Sequence, residues 1–211
     1  MKYFKTFVIL FITTVCFIIN AQQKEIKLPA PQKEIGKPLM QVLNFRQSVR
    51  SFDTKPLPAQ ELSNLLWAAF GINREDGKRT APSSRNIQDI VIYVFIPEGV
   101  FLYNAKENNL DPVLSEDLRG MTGTQEYVKS APLNLVYVSD QSKMGKANTE
   151  DKDITSGADA GFIAQNVYLY CASQNLGAVI RASIDKTPLA TKLNLKQGQK
   201  IILAQTIGYK Q

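Results

Sequence analysis

Ser156-Gly157-Ala158-Asp159-Ala160-Gly161-Phe162-Ile163-Ala164-Gln165-Asn166-Val167-Tyr168-Leu169-Tyr170-Cys171-Ala172-Ser173-Gln174 is the longest helical signal in the chain. Ser156 with Asp159 three residues later reads as a capping box, so the spacing predicts a helix over 157–174 that Leu176-Gly177 ends. Ala160, Ala164, Val167 and Cys171 share one face, yet Phe162, Ile163, Leu169 and Tyr170 carry the apolar surface nearly all the way round. A helix of that kind is buried, either in a core or in a subunit contact.

Outward from this helix the chain shows no repeated βαβ unit. On the N-terminal side Leu39, Val42 and Leu43 recur at helical spacing behind Pro38, a residue suited to a first turn. A second helix opens at Pro58, has Glu61 in its first turn, and aligns Leu62, Leu65, Leu66 and Ala69 into a stripe that stops before Gly71. Residues 90–96 are β-branched and aromatic and read as a strand, which Glu98-Gly99 turns into 100–103 as a hairpin. Residues 133–138 give a third strand, and the acidic, polar stretch 114–127 before it is expected to be helical. Past the long helix, 178–182 reads as extended, 186–193 as a short helix and 200–209 as a last strand. Helices first, then strands and helices mixed, make the class α+β.

The 211 residues are 44% hydrophobic, 9% aromatic and 21% charged, which fits one globular domain or two small ones and excludes collagen-like, low-complexity and wholly disordered chains. Two cysteines, Cys16 and Cys171, are too few for a disulfide scaffold. There is no histidine, which removes His-based triads, histidine general bases and nearly every zinc or facial-triad site. The formal charge of +6 comes from scattered lysines and arginines without helix-turn-helix or zinc-finger spacing. That argues against a nucleic-acid partner and for solubility plus one or two anion sites.

The first residues, Met1-Lys2-Tyr3-Phe4-Lys5, precede an apolar run from Phe7 to Ile19 broken by Thr13 and Thr14, and then Asn20-Ala21-Gln22. This order predicts a secretory signal peptide over 1–21, cut after Ala21. The run is shorter than the roughly 20 residues of a permanent span, an uncleaved anchor being the alternative. Residues 22–36, rich in lysine, glutamine and proline, then form a linker or arm, and 37–211 the folded domain. The mature chain would be periplasmic or secreted, with no permanent membrane insertion. Loss of Lys2 and Lys5 lowers the formal charge from +6 to +4, and Cys171 is left without a partner for an intramolecular disulfide.

Two segments cluster small, polar and cationic groups where a core has no need of them. In Arg46-Gln47-Ser48-Val49-Arg50-Ser51-Phe52, two arginines four apart with a serine between can present guanidinium forks and a hydroxyl to one phosphate. In Ala81-Pro82-Ser83-Ser84-Arg85-Asn86-Ile87-Gln88, small residues let backbone amides approach a flat ligand, while Asn86 and Gln88 offer paired donors and acceptors for a heterocycle edge. Surface arginines with a turn serine, and a plain loop, are the bland readings of the same stretches.

Together with Ala158-Asp159-Ala160-Gly161 through Ala164-Gln165-Asn166 to Asn175-Leu176-Gly177, these segments in this order resemble the nitroreductase superfamily of flavin mononucleotide (FMN) oxidoreductases, over about 39–209. Within it the chain is similar to the branch that includes thiazoline- and oxazoline-oxidising dehydrogenases of peptide natural-product pathways. Leu65-Leu66-Trp67-Ala68-Ala69-Phe70-Gly71-Ile72-Asn73, Arg79-Thr80-Ala81-Pro82-Ser83 and Gly99-Val100-Phe101-Leu102-Tyr103 carry that likeness. The resemblance implies a central mixed or antiparallel sheet flanked by helices, in a homodimer with two FMN groups at the interface and the long helix buried between subunits. It also implies that Arg46 and Ser48 bind the ribityl phosphate, that Gln47 contacts it, and that Arg50 places a cation near the pyrimidine edge. Pro82, Ser83, Ser84 and Asn86 would come from the partner subunit, with Gln88 at the same loop. The backbone of Ala178, Val179 and Ile180 would lie by the reactive face, and Lys210 is the basic candidate for the phosphate at the C-terminal end.

Hydride arrives at and leaves flavin N5, so no acid or base side chain is required, and a chain without histidine is no obstacle. A cation fixed near the N1 and C2-oxygen region stabilises the charge that two-electron reduction places there. The resulting expectation is an FMN-dependent oxidoreductase, acting on a small-molecule substrate with an electron donor or acceptor other than a cytoplasmic nicotinamide. A flavin-binding protein for storage or sensing, without turnover, is the alternative, and a cofactor-free basic interaction module is a third.

Overall fold

The computed structural model of the protein describes residues 23–211; the leader expected over 1–21, with its cut after Ala21, lies outside the described residues. In chain order the elements are β1 (Ile26–Lys27), α1 (Leu39–Phe45), α2 (Ala59–Phe70), β2 (Ile90–Ile96), β3 (Gly99–Asn104), β4 (Asn109–Leu114), α3 (Tyr127–Ser130), β5 (Leu133–Asp140), α4 (Thr149–Ser173), β6 (Leu176–Arg181), α5 (Lys186–Lys192) and β7 (Gln199–Tyr209). The strands make one sheet in the order β1-β4-β3-β2-β5-β7-β6. Every pairing between them is antiparallel. The fold is α+β, a sheet flanked by helices.

Both faces of the sheet are covered, which is why its inner strands read as unbroken apolar runs. On one face Leu65, Leu66 and Phe70 of α2 and Ile163, Val167 and Cys171 of α4 pack on Ile92, Val94, Leu135, Tyr137 and Ile207. On the other, Leu189 of α5 with Leu118 and Leu193 covers Phe95, Val100, Val136 and Val138. Each buried aliphatic or aromatic side chain of this kind contributes about 1.5 to 3 kcal/mol relative to exposure. Residues 23–37 run as an extended arm that inserts Leu28 into the core and is tied down by the Asn108 amide donating to the Pro29 carbonyl (2.8 Å) and by the Gln32 N–H donating to Asn64 Oδ1 (2.8 Å).

Two expectations require correction. The central helix begins at Thr149, not at 157, capped by Asn148, whose side chain accepts the Asp151 N–H at 2.8 Å. Ser156 lies inside the helix and donates back to the Lys152 carbonyl (2.7 Å). The first two turns are polar and lack an apolar stripe, so periodicity did not reveal them. The stretch 114–127 is also not one helix: β4 ends at Leu114, and only a single turn at Arg119–Thr122 and the four-residue α3 follow. Asp111 and Pro112 concealed β4. Pro112 is tolerated because β1 pairs only with Asn109 and Leu110, leaving the rest of β4 as a sheet edge.

Candidate functional site

The segment after α1 is drawn onto the ends of β6 and β7. Ser48 makes a parallel bridge to Ala178, Val49 N–H donates to the Ala178 carbonyl (2.9 Å), and Phe52 bridges Lys210. Two glycines make the approach possible. Gly177 and Gly208 pair across β6 and β7, and a Cβ on Gly177 would come within 2.9 Å of the Val49 side chain, one on Gly208 within 2.8 Å of Pro132. Val49 and Phe52 therefore seat on bare backbone, and Arg46, Gln47, Ser48 and Arg50 are held along the sheet edge.

Tyr168 ties this corner together. Its hydroxyl accepts the Ile180 N–H (2.9 Å) and shares a hydrogen bond with Ser48 Oγ (2.9 Å), and the Arg46 guanidinium lies 5.3 Å from its ring centroid. Arg46, Arg50 and Lys210 enter none of the ion pairs found among the described residues. Arg46 and Ser48 on Tyr168, with Lys210 and Gln47 beside the same side chain, make a donor set suited to an anion. Beside it runs a groove of about 400 Å³ lined by Gly161, Ala164, Gln165, Tyr168, Ile180, Arg181, Ala182 and Leu203. Its walls are chiefly apolar, as a flat aromatic ligand requires. The Val179 side chain points away from the groove and packs with Phe52 and Ala131.

The loop before β2 is built differently. Arg85, Asn86 and Gln88 all have φ near +50° (50°, 56° and 49°), a left-handed conformation that costs free energy in residues with a side chain. Surrounding contacts hold it. Ser84 N–H donates to both oxygens of Asp159 (3.2 and 3.1 Å), Ser83 Oγ accepts the Gln88 N–H (3.0 Å), and Lys143 Nζ donates to the Gln88 carbonyl (3.0 Å). The Gln88 amide is used inside the loop: it accepts from Arg79 Nε (2.8 Å) and donates to the Gly77 carbonyl and to Asn86 Oδ1 (both 3.1 Å). Pro82, Arg85 and Asn86 remain exposed.

The structure thus brings together Arg46, Gln47, Ser48, Ala178, Ile180 and Lys210 around Tyr168 within one chain, while Arg50 follows in the same segment with its side chain exposed. Pro82, Ser83, Ser84, Asn86 and Gln88 do not join them there. Their anchor Asp159 and the other set's anchor Tyr168 are nine residues apart on α4, about 13 Å of helix axis. Tyr168 is the residue that sequence reading missed; in an apolar helix a tyrosine looks like core, and only its hydroxyl marks it.

Two buried ionisable groups beside these segments, Asp159 and Arg181, are shifted from their ordinary behaviour. Asp159 is 2% exposed, and burial, then the adjacent carboxyl of Asp89, pushes its pKa up to about 6, while the Ser84 amide pulls it down. Asp89 is fully buried; one oxygen accepts from Ser139 Oγ (2.6 Å) and the other has no partner. On the far side of β6, burial lowers the pKa of Arg181 to about 10, which leaves it a cation at neutral pH.

The architecture around these residues has counterparts. The model of the nitroreductase family matches residues 43–209, which takes in all of both segments and the helix between them. This chain belongs to the nitroreductase family. Nitroreductases are oxidoreductases that use a flavin, and the donor set beside an apolar groove suits one. A Ralstonia eutropha JMP134 protein provisionally described as a nitroreductase has a crystal structure that superposes with a TM-score of 0.85 at 42% identity, over 92% of each chain. The Methanocaldococcus jannaschii protein MJ1384, also provisionally named a nitroreductase, is 29% identical over 169 residues, 75% of this chain and 85% of that one. The Escherichia coli microcin synthetase McbBCD complex with truncated pro-MccB17 bound has a chain that shares the fold, with a TM-score of 0.67 at 19% identity over 97% of this chain and 85% of that one.

Proposed function

We propose that the protein is an exported, FMN-dependent oxidoreductase that works as a homodimer. The observation that carries this reading is the Tyr168 corner, where the Arg46 guanidinium and Ser48 meet the apolar groove that Tyr168 and Ile180 line, with Gln47 and Lys210 at the adjoining cleft beside Ala178. Arg46, Ser48 and Lys210 would hold the phosphate, with Gln47 beside it; Arg50 would stand near the pyrimidine edge. Ala178 and Ile180 would place strand backbone along the ring. When bound, FMN supplies two-electron transfer through N5, for which the protein provides no acid or base. The groove walls Ala164, Ile180 and Leu203 keep water from the ring, and the fixed guanidinium groups favour negative charge before it forms.

A dimer supplies what a single chain lacks. Leu39, Met40, Leu43 and Phe45 of α1 are 44 to 75% exposed, as are Ile154 and Phe162 of α4 at 65 and 47%. Covering these side chains with a second copy would bury their apolar surface and bring the partner's Pro82–Gln88 loop to the groove. The signal-like start supports a location outside the cytoplasm, where free nicotinamides are scarce. The direction we favour is therefore that of a dehydrogenase or oxidase, passing electrons to oxygen, a quinone or a protein. The likeness of 65–73, 79–83 and 99–103 to the azoline-oxidising branch supports the same direction.

Fluorescence titration with FMN tests the assignment. Wild type should bind, Arg46→Ala should weaken binding by the value of a charge-assisted bond, about 1.5 to 3 kcal/mol, and Ser83→Ala by that of a neutral one, about 0.5 to 1.5 kcal/mol. Equal affinity in wild type and both variants would remove these residues from the site. Rapid bleaching of the holoprotein by NADH or NADPH in stopped flow would reject the dehydrogenase direction.

A further inference from the structure

Arg181 carries a buried charge that the contacts to the phosphate and ring leave unused. It closes β6 and is 7% exposed, yet it enters no ion pair among the described residues. Its guanidinium donates to Thr206 Oγ1, to the Thr122 carbonyl and hydroxyl (3.0 Å each) and to Asn134 Oδ1 (3.1 Å). All three residues are fully buried and all four acceptors are neutral. Nε has no partner among the described residues, and nor does Oε1 of its neighbour Gln125; a Cβ on the intervening Gly123 would strike the first and lie 3.1 Å from the second. Nearby Arg119, by contrast, is paired with Asp117 at 2.7 Å. A buried cation among neutral dipoles is costly to fold, and its field is little screened by solvent or salt.

The place of this charge gives it a use. β6 runs from Ala178, bridged to Ser48, to Arg181, about 10 Å of strand. Ile180, Arg181 and Ala182 together form part of the groove wall. Resting on the FMN assignment above, we propose that Arg181 is a positioning residue for charge: its uncompensated guanidinium, held behind the wall of the ring site, stabilises the anionic reduced flavin and raises its reduction potential. Arg46 and Lys210 neutralise a phosphate that is equally charged in both redox states, whereas Arg181 acts on the charge that changes.

The test is a redox titration of FMN-loaded protein against reference dyes, with flavin content measured on the same samples. Arg181→Gln should shift the oxidised-to-reduced equilibrium about tenfold toward the oxidised form, the effect of one unit charge at roughly 10 Å in an effective dielectric near 20. For a two-electron couple that is a midpoint about 30 mV lower. Arg181→Lys should retain most of the wild-type potential. Gln125→Glu leaves Arg181 in place and sets a carboxylate beside Nε; it should lower the potential in the same direction even if Arg181→Gln fails to fold. A merely structural role would change melting temperature and not potential. Unchanged potential in flavin-loaded Gln125→Glu, or an equal fall in Arg181→Lys and Arg181→Gln, would overturn the inference. A wild-type protein that binds no FMN would instead overturn the functional assignment, and this inference with it.

Discussion

Tyr168→Phe removes one oxygen and nothing else from the corner that holds Ser48 to β6. In the folded chain that oxygen accepts the Ile180 N–H and shares a hydrogen bond with Ser48 Oγ, each at 2.9 Å, on a side chain only 7% exposed. Ser48 is exposed and can turn to water, so its loss is small. The Ile180 amide is half-buried beside an apolar wall, and an unsatisfied donor there costs about 1 to 3 kcal/mol. With the ring retained, no cavity term adds to it, and a loss near 1.5 kcal/mol is expected. At this chain length that corresponds to a melting temperature lower by about 3 to 6 °C. Because Ser48 then loses its hydrogen bond to α4, while the ring beneath Arg46 stays, FMN affinity should fall about fivefold, or about 1 kcal/mol. Urea denaturation monitored by circular dichroism gives the first quantity and FMN fluorescence quenching the second. A variant within about 0.3 kcal/mol of wild type, with unaltered FMN affinity, would show that Tyr168 does not organise the site.

The buried carboxyl pair predicts a pH dependence. Asp159 titrates near 6 when folded and near the ordinary 3.8 when not, so the folded state binds the extra proton between those values. Stability from this group is fully present below about pH 4 and lost as pH rises through 6; Asp159→Asn, which keeps an acceptor for Ser84 N–H, should flatten that slope in urea titrations at pH 4 and 7. A slope identical to wild type would place the titration elsewhere. Met40→Glu puts a charge into the exposed α1 face, where Met40 is 75% exposed. It should leave the fold intact by circular dichroism and halve the mass seen by light scattering; a wild type that is already monomeric would remove the basis for the shared site.

Most elements were readable because their local chemistry agreed with their packing. Pro38 and Pro58 sit at the N-caps of α1 and α2, Gly71 closes α2, and the apolar runs at β2, β5 and β7 are buried strands. What was not readable depends on long-range contact. β4 contains Asp111 and Pro112, poor strand formers that only an edge position accommodates. The first turns of α4 are polar and are set by the Asn148 cap and by ion pairs such as Asp153 with Lys200 (2.6 Å). The arginine and serine segments stand out in sequence by their clustered small, polar and cationic residues, whereas Tyr168 and Arg181 do not. A tyrosine in an apolar helix and an arginine ending a strand acquire meaning only from the partners the fold gives or denies them.

If each site draws its phosphate donors from one chain and its Pro82–Gln88 loop from the other, mixed dimers reveal it directly. Arg46→Ala and Ser83→Ala chains, each weak in FMN alone, are co-expressed with different tags and the heterodimer is isolated. In that heterodimer one site carries both lesions and the other neither, so one tightly bound FMN per dimer should return. If tight binding is not recovered although the heterodimer forms, each site is built within a single chain and no site is shared between subunits.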